Sequence, residues 1–318
     1  MIRLDEQVAI VTGAGRGIGR AHALLLAERG ATVVVNDLAV EADGAPRAQL
    51  VVDEIVARGG RAYASTHNAA SESACAELVQ WVDRELGRLD ALVLNAGLTL
   101  FAQGEQSLHV GQGFSTADLA TVRAQVELQL MGVYYLGQPA WALMERAGYG
   151  RIVLTSTSAI FGYRGDGSYG AAKCAVLSLA RTMSAEAVAK GLDIRVNVVS
   201  PSAATNLGSG NGMHDRYAAG FSGRNTPENV SGAVLYLASR ECAVTGECLR
   251  VGGSYVGRNF IAQTPGWVHT GDGALSPEAV MAHLGDITAE DGYVVPTDAE
   301  DCMTFMMTRV RDALAPTP

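Results

Sequence analysis

The chain has 318 residues, 48% of them hydrophobic, and its 24 Lys and Arg against 33 Asp and Glu leave a net charge of −9. That length suits one large domain or one domain with an appendage, and an acidic chain without a basic run argues against a nucleic-acid partner. No apolar stretch approaches the ~20 residues of a membrane span, and the N-terminus MIRLDEQVAIVTG enters a strand at once, so no membrane partner and a cytoplasmic location are expected. The five cysteines are odd in number without metal-ligand spacing, and the six histidines form no HExxH-like cluster; buried thiols and no catalytic metal are expected.

In chain order, strand-like runs fall at Val8-Thr12, Thr32-Asp37, Arg61-Thr66, Ala91-Asn95, Arg151-Ser156, Ile194-Ser200 and Glu247-Val251. Helical patterns lie between them near 18–29, 45–57, 71–86, 116–145, 169–189 and 227–238. Such alternation implies right-handed crossovers and an α/β fold, a doubly wound parallel sheet of about seven strands. Ligands on such sheets bind at the carboxyl ends of the strands.

The first strand runs into Thr12-Gly13-Ala14-Gly15-Arg16-Gly17-Ile18-Gly19 and then a helix. Glycines let backbone N–H groups approach a pyrophosphate, which a helix N-terminus favours electrostatically. The spacing is TGxxxGxG, since the third glycine of GxGxxG would fall on Ile18 or Arg20. Asp37, ending the second strand, can accept hydrogen bonds from an adenosine ribose and would repel a 2′-phosphate, which favours NAD over NADP. Arg16 is a counter-signal, as a cation that would welcome that phosphate. After the third strand Asn68 could meet the adenine amine, and after the fourth Asn95-Ala96-Gly97 allows close backbone approach.

Tyr169 and Lys173 are four apart, so a helix starting there projects both side chains from one face. Lowering a phenol's pKa from ~10 by three units needs about 4 kcal/mol, which an ammonium ~4 Å away could supply at an effective dielectric of ~20. Tyr169 then becomes a candidate general acid/base. Ser156, ending an apolar run, is placed to hold a substrate oxygen.

TGAGRGIG, Asp37, LNAG, Ser156, Tyr169 and Lys173, in this order and spacing, resemble the short-chain dehydrogenase/reductase family across residues 5–258. The resemblance implies a Rossmann fold and hydride transfer between NAD(P) and an alcohol or ketone. It further implies that Tyr169 is the proton donor or acceptor, Lys173 holds the nicotinamide ribose and lowers the tyrosine pKa, and Ser156 orients the substrate oxygen. The cofactor would be met by Gly13, Arg16, Gly17, Ile18, Gly19, Asp37, Leu38, Asn68, Ala69, Asn95, Ala96, Gly97, Tyr169 and Lys173. Pro201 to Thr205 would close over its nicotinamide end. VVVNDL at 33–38, GYGRIV at 148–153 and VGGSYVGR at 251–258 further resemble the dehydrogenase part of type 2 peroxisomal multifunctional enzymes and their bacterial relatives. That subgroup implies a small-molecule substrate, a (3R)-3-hydroxyacyl-CoA thioester or a steroid-type compound. An NADPH-dependent 3-oxoacyl reductase and a non-catalytic dinucleotide-binding regulator remain as alternatives. Association into a homotetramer or homodimer, through the helices at 116–145 and 169–189, is also implied.

The chain departs from the family pattern in three places. Gln129 stands where the family places an Asn that helps to hold a relay water. Gln129 follows Asn95 by 34 residues, a longer interval than the family leads one to expect, and the surplus falls in 98–114, which could shape or cover the pocket. Ser202 replaces the glycine expected after Pro201, and residues 206–225 are expected to form a mobile substrate loop. Beyond the dinucleotide-binding domain at 1–258, residues 259–318 read as a helical C-terminal extension, with helix starts at Ser276-Pro277 and at a capping box from Thr297 to Glu300. Too short to bury its own core, the extension is expected to pack on the domain or a neighbouring subunit.

Overall fold

The computed structural model describes residues 1–97, 114–162, 167–204, 220–221 and 223–315. The chain divides into two compact units, Met1–Arg258 and Asn259–Pro318.

In the first unit, β1 (Val8–Thr12), β2 (Thr32–Asn36), β3 (Arg61–Ser65), β4 (Ala91–Leu94), β5 (Tyr149–Thr155), β6 (Asp193–Ser202) and β7 (Cys248–Gly252) pair in parallel. The strand order 3-2-1-4-5-6-7-8 puts the reversal at β1, between β2 and β4. One more strand than expected, β8 (Tyr255–Asn259), completes the sheet beside β7. Joined to β7 by only two residues, it folds back antiparallel. Its sequence YVGRN alternates too little to read as a strand, and Gly252-Gly253 looks like an ending.

Both faces of the sheet are covered, which explains why β1 is buried along its whole length. Ala9, Val11, Val33, Val93 and Val153 meet α1 (Gly17–Glu28), α2 (Arg47–Ala57) and α7 (Pro227–Leu237). Ile10, Val34, Leu92, Ile152 and Leu154 meet α3 (Glu72–Leu86), α5 (Gly132–Ala147) and α6 (Gly167–Ala189).

The long helix expected over 116–145 is interrupted. A short 3₁₀ turn (Phe114–Thr116) precedes α4 (Leu119–Val126), and a π-helical turn (Glu127–Met131) separates α4 from α5. Such wide turns recur at functional sites, and this one carries Gln129.

The second unit holds α8 (Pro277–Ala282), α9 (Leu284–Thr288) and α10 (Ala299–Leu314). Ser276 caps α8, accepting from Ala279 N at 3.1 Å. The cap of α10 sits one residue later than the sequence suggested. Asp298 accepts from Asp301 N at 2.8 Å, while Asp301 reaches back to Thr297 N at 2.9 Å. Trp267 stacks on His283 at 4.1 Å, and no residue of α8, α9 or α10 is buried.

At the amino end of the sheet, the fully buried Arg151 binds β5 to its neighbours. It donates to the Ser239 carbonyl at 2.9 Å, the Gly150 carbonyl at 2.8 Å and the Asp193 carbonyl at 2.9 Å, and pairs with the Asp193 carboxylate at 3.1 Å. Arg151→Met strands these carbonyl acceptors and leaves the Asp193 carboxylate only its 3.4 Å pair with Arg195, so a loss of about 1–3 kcal/mol in urea unfolding is expected.

Candidate active site

The glycine turn, Asp37, Asn95–Gly97 and Ser156 lie at the carboxyl ends of β1, β2, β4 and β5. The turn after β1 is fixed from behind. Thr12 Oγ1 accepts from Asn95 N at 3.1 Å and Ala96 N at 2.9 Å. Asn95 Nδ2 donates to the Thr12 carbonyl at 3.1 Å and the Gly13 carbonyl at 3.2 Å. A Cβ on Gly19 would lie 2.2 Å from the Gly13 oxygen, and one on Gly15 would lie 2.8 Å from Asp37 Oδ2. The turn therefore depends on having no side chains there. Asn95, expected to line the cofactor, spends its amide on shaping the turn.

Arg16, exposed, precedes α1 as its N-cap residue and makes no side-chain cap, while Gly17, Ile18 and Gly19 form the first helical turn. Ile18 packs against the core. Asp37, one residue beyond β2, accepts from Gly15 N at 2.8 Å and Ala39 N at 2.9 Å. Leu38 is exposed. Arg47, whose Cβ abuts Gly15, is paired with Glu41 at 2.8 Å. Asn68 lies exposed after β3 with its Oδ1 accepting from Ala70 N at 2.9 Å. A side-chain-free turn, a helix N-terminus without a side-chain cap and an adjacent carboxylate fit a dinucleotide.

Tyr169, half-buried, and Lys173 lie one turn apart at the start of α6. The Lys173 side chain is buried, and burial pulls its pKa from the ordinary 10.5 down to about 7. It lines a small cavity of about 20 Å³ together with Thr12, Ala69, Ala96, Gln129 and Thr155. A space of that size holds one water, and the lining offers it polar partners.

Gln129 is buried, and its Nε2 donates to Gln125 Oε1 at 3.3 Å. Its amide lies against Gly97, where a Cβ would come within 3.0 Å of Gln129 Oε1. Gln125, equally buried, was not singled out from sequence, although its i, i+4 spacing from Gln129 is the usual signal of a side-chain pair.

Ser156 ends β5. It is 1% exposed, and its Oγ donates to the backbone carbonyl of Lys173 at 3.0 Å, which ties the end of β5 to the start of α6. Pro201 lies within β6, its carbonyl accepting from Arg250 at 2.9 Å. Thr205, residues 98–113 of the pocket loop and 205–219 of the expected substrate loop lie outside the described residues. No cluster of metal ligands occurs among the described residues, and no described helix is long and apolar enough to cross a membrane.

Residues 7–209 match the family model for short chain dehydrogenases. A short-chain type dehydrogenase/reductase of Mycobacterium tuberculosis is 35% identical over 260 residues, covering 80% of this chain and 85% of its own length. Mouse peroxisomal multifunctional enzyme type 2 is 33% identical over 285 residues, covering 88% of this chain but only 36% of that larger protein. Among solved structures, a 7α-hydroxysteroid dehydrogenase complexed with NADH and 7-oxo glycochenodeoxycholic acid aligns with a TM-score of 0.67 at 33% identity, over 79% of this chain and 95% of its own. The chain belongs to the short-chain dehydrogenase/reductase family and is an NAD(P)-dependent oxidoreductase. Within that family it resembles the dehydrogenase part of peroxisomal multifunctional enzyme type 2.

Two outcomes follow. Between pH 7 and 10.5 the unfolded chain binds a proton that folded Lys173 releases, so stability rises with pH across that window; below it the full penalty of a buried charge is felt. Lys173→Met should therefore unfold at higher urea concentration than the parent near neutral pH, with the gap closing as pH approaches the ordinary lysine value. Gly19→Ala should weaken NADH binding at least about tenfold by fluorescence titration, because its methyl displaces the Gly13 carbonyl and distorts the turn.

Proposed function

We propose that the protein is an NAD-dependent dehydrogenase of secondary alcohols on bulky substrates, either a (3R)-3-hydroxyacyl-CoA or a steroid-type compound. The observation that carries this reading is the placement of Tyr169 and Lys173 one turn apart on α6, with Lys173 lining a cavity at the same sheet edge as the glycine turn and Asp37. When bound, the nicotinamide supplies the hydride acceptor. Tyr169 takes the hydroxyl proton as the carbinol hydrogen departs with its electron pair, and the Ser156 hydroxyl orients the reacting oxygen. Lys173 holds the ribose and favours the tyrosinate. Gln129 takes the place of the family's Asn in supporting a relay water in the cavity that it shares with Lys173. Gly13, Gly17 and Gly19 cradle the pyrophosphate.

NAD is favoured over NADP because the Asp37 carboxylate is already fixed by two backbone N–H groups where a 2′-phosphate would have to approach. The similarity to peroxisomal multifunctional enzyme type 2 supports a thioester-linked 3-hydroxyacyl substrate, and the 7α-hydroxysteroid dehydrogenase supports a steroid one. Family precedent also supports a homodimer or homotetramer assembled through the helices over 116–145 and 169–189, that is α4, α5 and α6.

Nicotinamide absorbance with (3R)- and (3S)-3-hydroxyacyl-CoAs, a steroid-side-chain CoA and free hydroxysteroids tests the reading. NAD-dependent turnover of an R thioester or a steroid is expected. Tyr169→Phe should lower it by about 10²–10⁴, and Asp37→Ala should shift preference toward NADP at least about tenfold. A strong NADPH preference in the parent would select the 3-oxoacyl reductase reading instead, and full turnover in Tyr169→Phe would contradict the mechanism.

A further inference from the structure

Gln129 stands where the family places an Asn, and its extra methylene gives the amide one more rotatable bond. An amide on such an arm can present either its oxygen or its N–H groups to the same space, and the hydrogen bonds of its neighbours decide which. The neighbour here is Gln125, four residues earlier near the end of α4. Both side chains are 1% exposed, and Gln129 Nε2 donates to Gln125 Oε1 at 3.3 Å.

The frame around the pair is fixed on both sides. Asp118 caps α4, accepting from Thr121 N at 2.9 Å. Beyond the π-helical turn, Gly132 is seated on Ala69, since a Cβ there would lie 2.9 Å from the Ala69 carbonyl oxygen. A Cβ on Gly97 would lie 3.0 Å from Gln129 Oε1 and 3.3 Å from its Nε2, so the oxygen is the end nearer the segment after β4. Gln129 lines the cavity with Lys173, Ala69 and Ala96, whereas Gln125 stands outside that lining.

The cavity's other polar groups show which end of the amide suits it. A lysine ammonium offers only donors. Thr12 Oγ1 already accepts from Asn95 N and Ala96 N, and Thr155 Oγ1 is buried without a hydrogen-bond partner among the described residues. An amide oxygen turned into this space supplies an acceptor, while an amide N–H in its place would set donor against donor. Resting on the dehydrogenase reading above, we propose that Gln125 is a positioning residue of the reaction: by taking an N–H of Gln129, it keeps the Gln129 oxygen turned toward the cavity as the acceptor beside Lys173.

The test compares Gln125→Met, Gln125→Ala, Gln125→Glu, Gln129→Met and the double variant Gln125→Met/Gln129→Met with the parent and Tyr169→Phe. Oxidation of (3R)-3-hydroxydecanoyl-CoA and of a free hydroxysteroid by NAD is followed, with NADH binding and thermal unfolding measured on each variant. Gln125→Met keeps the volume and removes the acceptor, so kcat should fall by roughly 10–10²-fold while KM and NADH affinity stay within about twofold. Gln125→Ala is judged by the same readings and carries the test should Gln125→Met not fold. Gln125→Glu retains an oxygen acceptor of the same reach and should recover kcat to within about fivefold of the parent. In the Gln129→Met background, adding Gln125→Met should change kcat by no more than about twofold, because the residue through which Gln125 acts is already gone. The inference is overturned if the Gln125→Met loss lies in KM or is absent, if Gln125→Glu does not recover, or if the full loss persists in the double variant. A parent inert toward both probes would overturn the dehydrogenase reading and the role of Gln125 with it. An active parent with an inert Tyr169→Phe and unaffected Gln125 variants would remove Gln125 alone.

Discussion

Keeping the Lys173 ammonium largely out of water is the constraint around which the carboxyl edge of the sheet is arranged. A lysine with this degree of burial loses much of its preference for the charged form, and its pKa falls to about 7. Around it stand groups that hold their places by other means. The Ser156 hydroxyl clamps its carbonyl, Thr155 closes the floor of the cavity it lines, and Gln129 enters from a π-helical turn. On the proposed reading, the unliganded protein pays in stability for a lysine whose charge is used when a bound ribose hydroxyl and the tyrosinate accept from it. This is the usual relation between a preformed site and the stability of its scaffold.

The dinucleotide end is held by a different device. Asn95 and Thr12 join the ends of β4 and β1 through four hydrogen bonds, so the glycine turn is braced by the strand beside the topological switch. Asp37 is anchored to the same turn through Gly15 N. A substitution at Asp37 removes one bond to a turn that is otherwise secured from β4.

Much of this was legible in the sequence for physical reasons. Strands buried on both faces read as unbroken apolar runs, and VAIVT, TVVVN and ALVL lie within a residue of where they were read. The glycine turn was legible because TGxxxGxG follows a strand and opens a helix. What escaped depended on geometry that composition does not carry. ELQLM reads as ordinary helix, and nothing in it marks the wide turn that carries Gln129. The extra strand β8 follows a Gly-Gly pair that looks like an ending. In the run Thr155 to Ser158 every residue has a hydroxyl, so composition does not mark Ser156 as the buried one. The cap of α10 slipped by one because Thr297, Asp298, Glu300 and Asp301 allow two overlapping boxes, and the carboxylate of Asp298 is the one that reaches the third helical N–H.

The titration of Lys173 itself is the most direct measurement of the constraint. Selective ¹³C labelling of the lysine side chains, with Lys173 assigned by its absence in Lys173→Met, gives the charge state of that one ammonium across pH in the unliganded protein. A midpoint near 7 is the result the buried, cavity-lining placement requires. A midpoint near 10.5 would mean that the ammonium is solvated, and would contradict the account of the site as one built around a sequestered lysine.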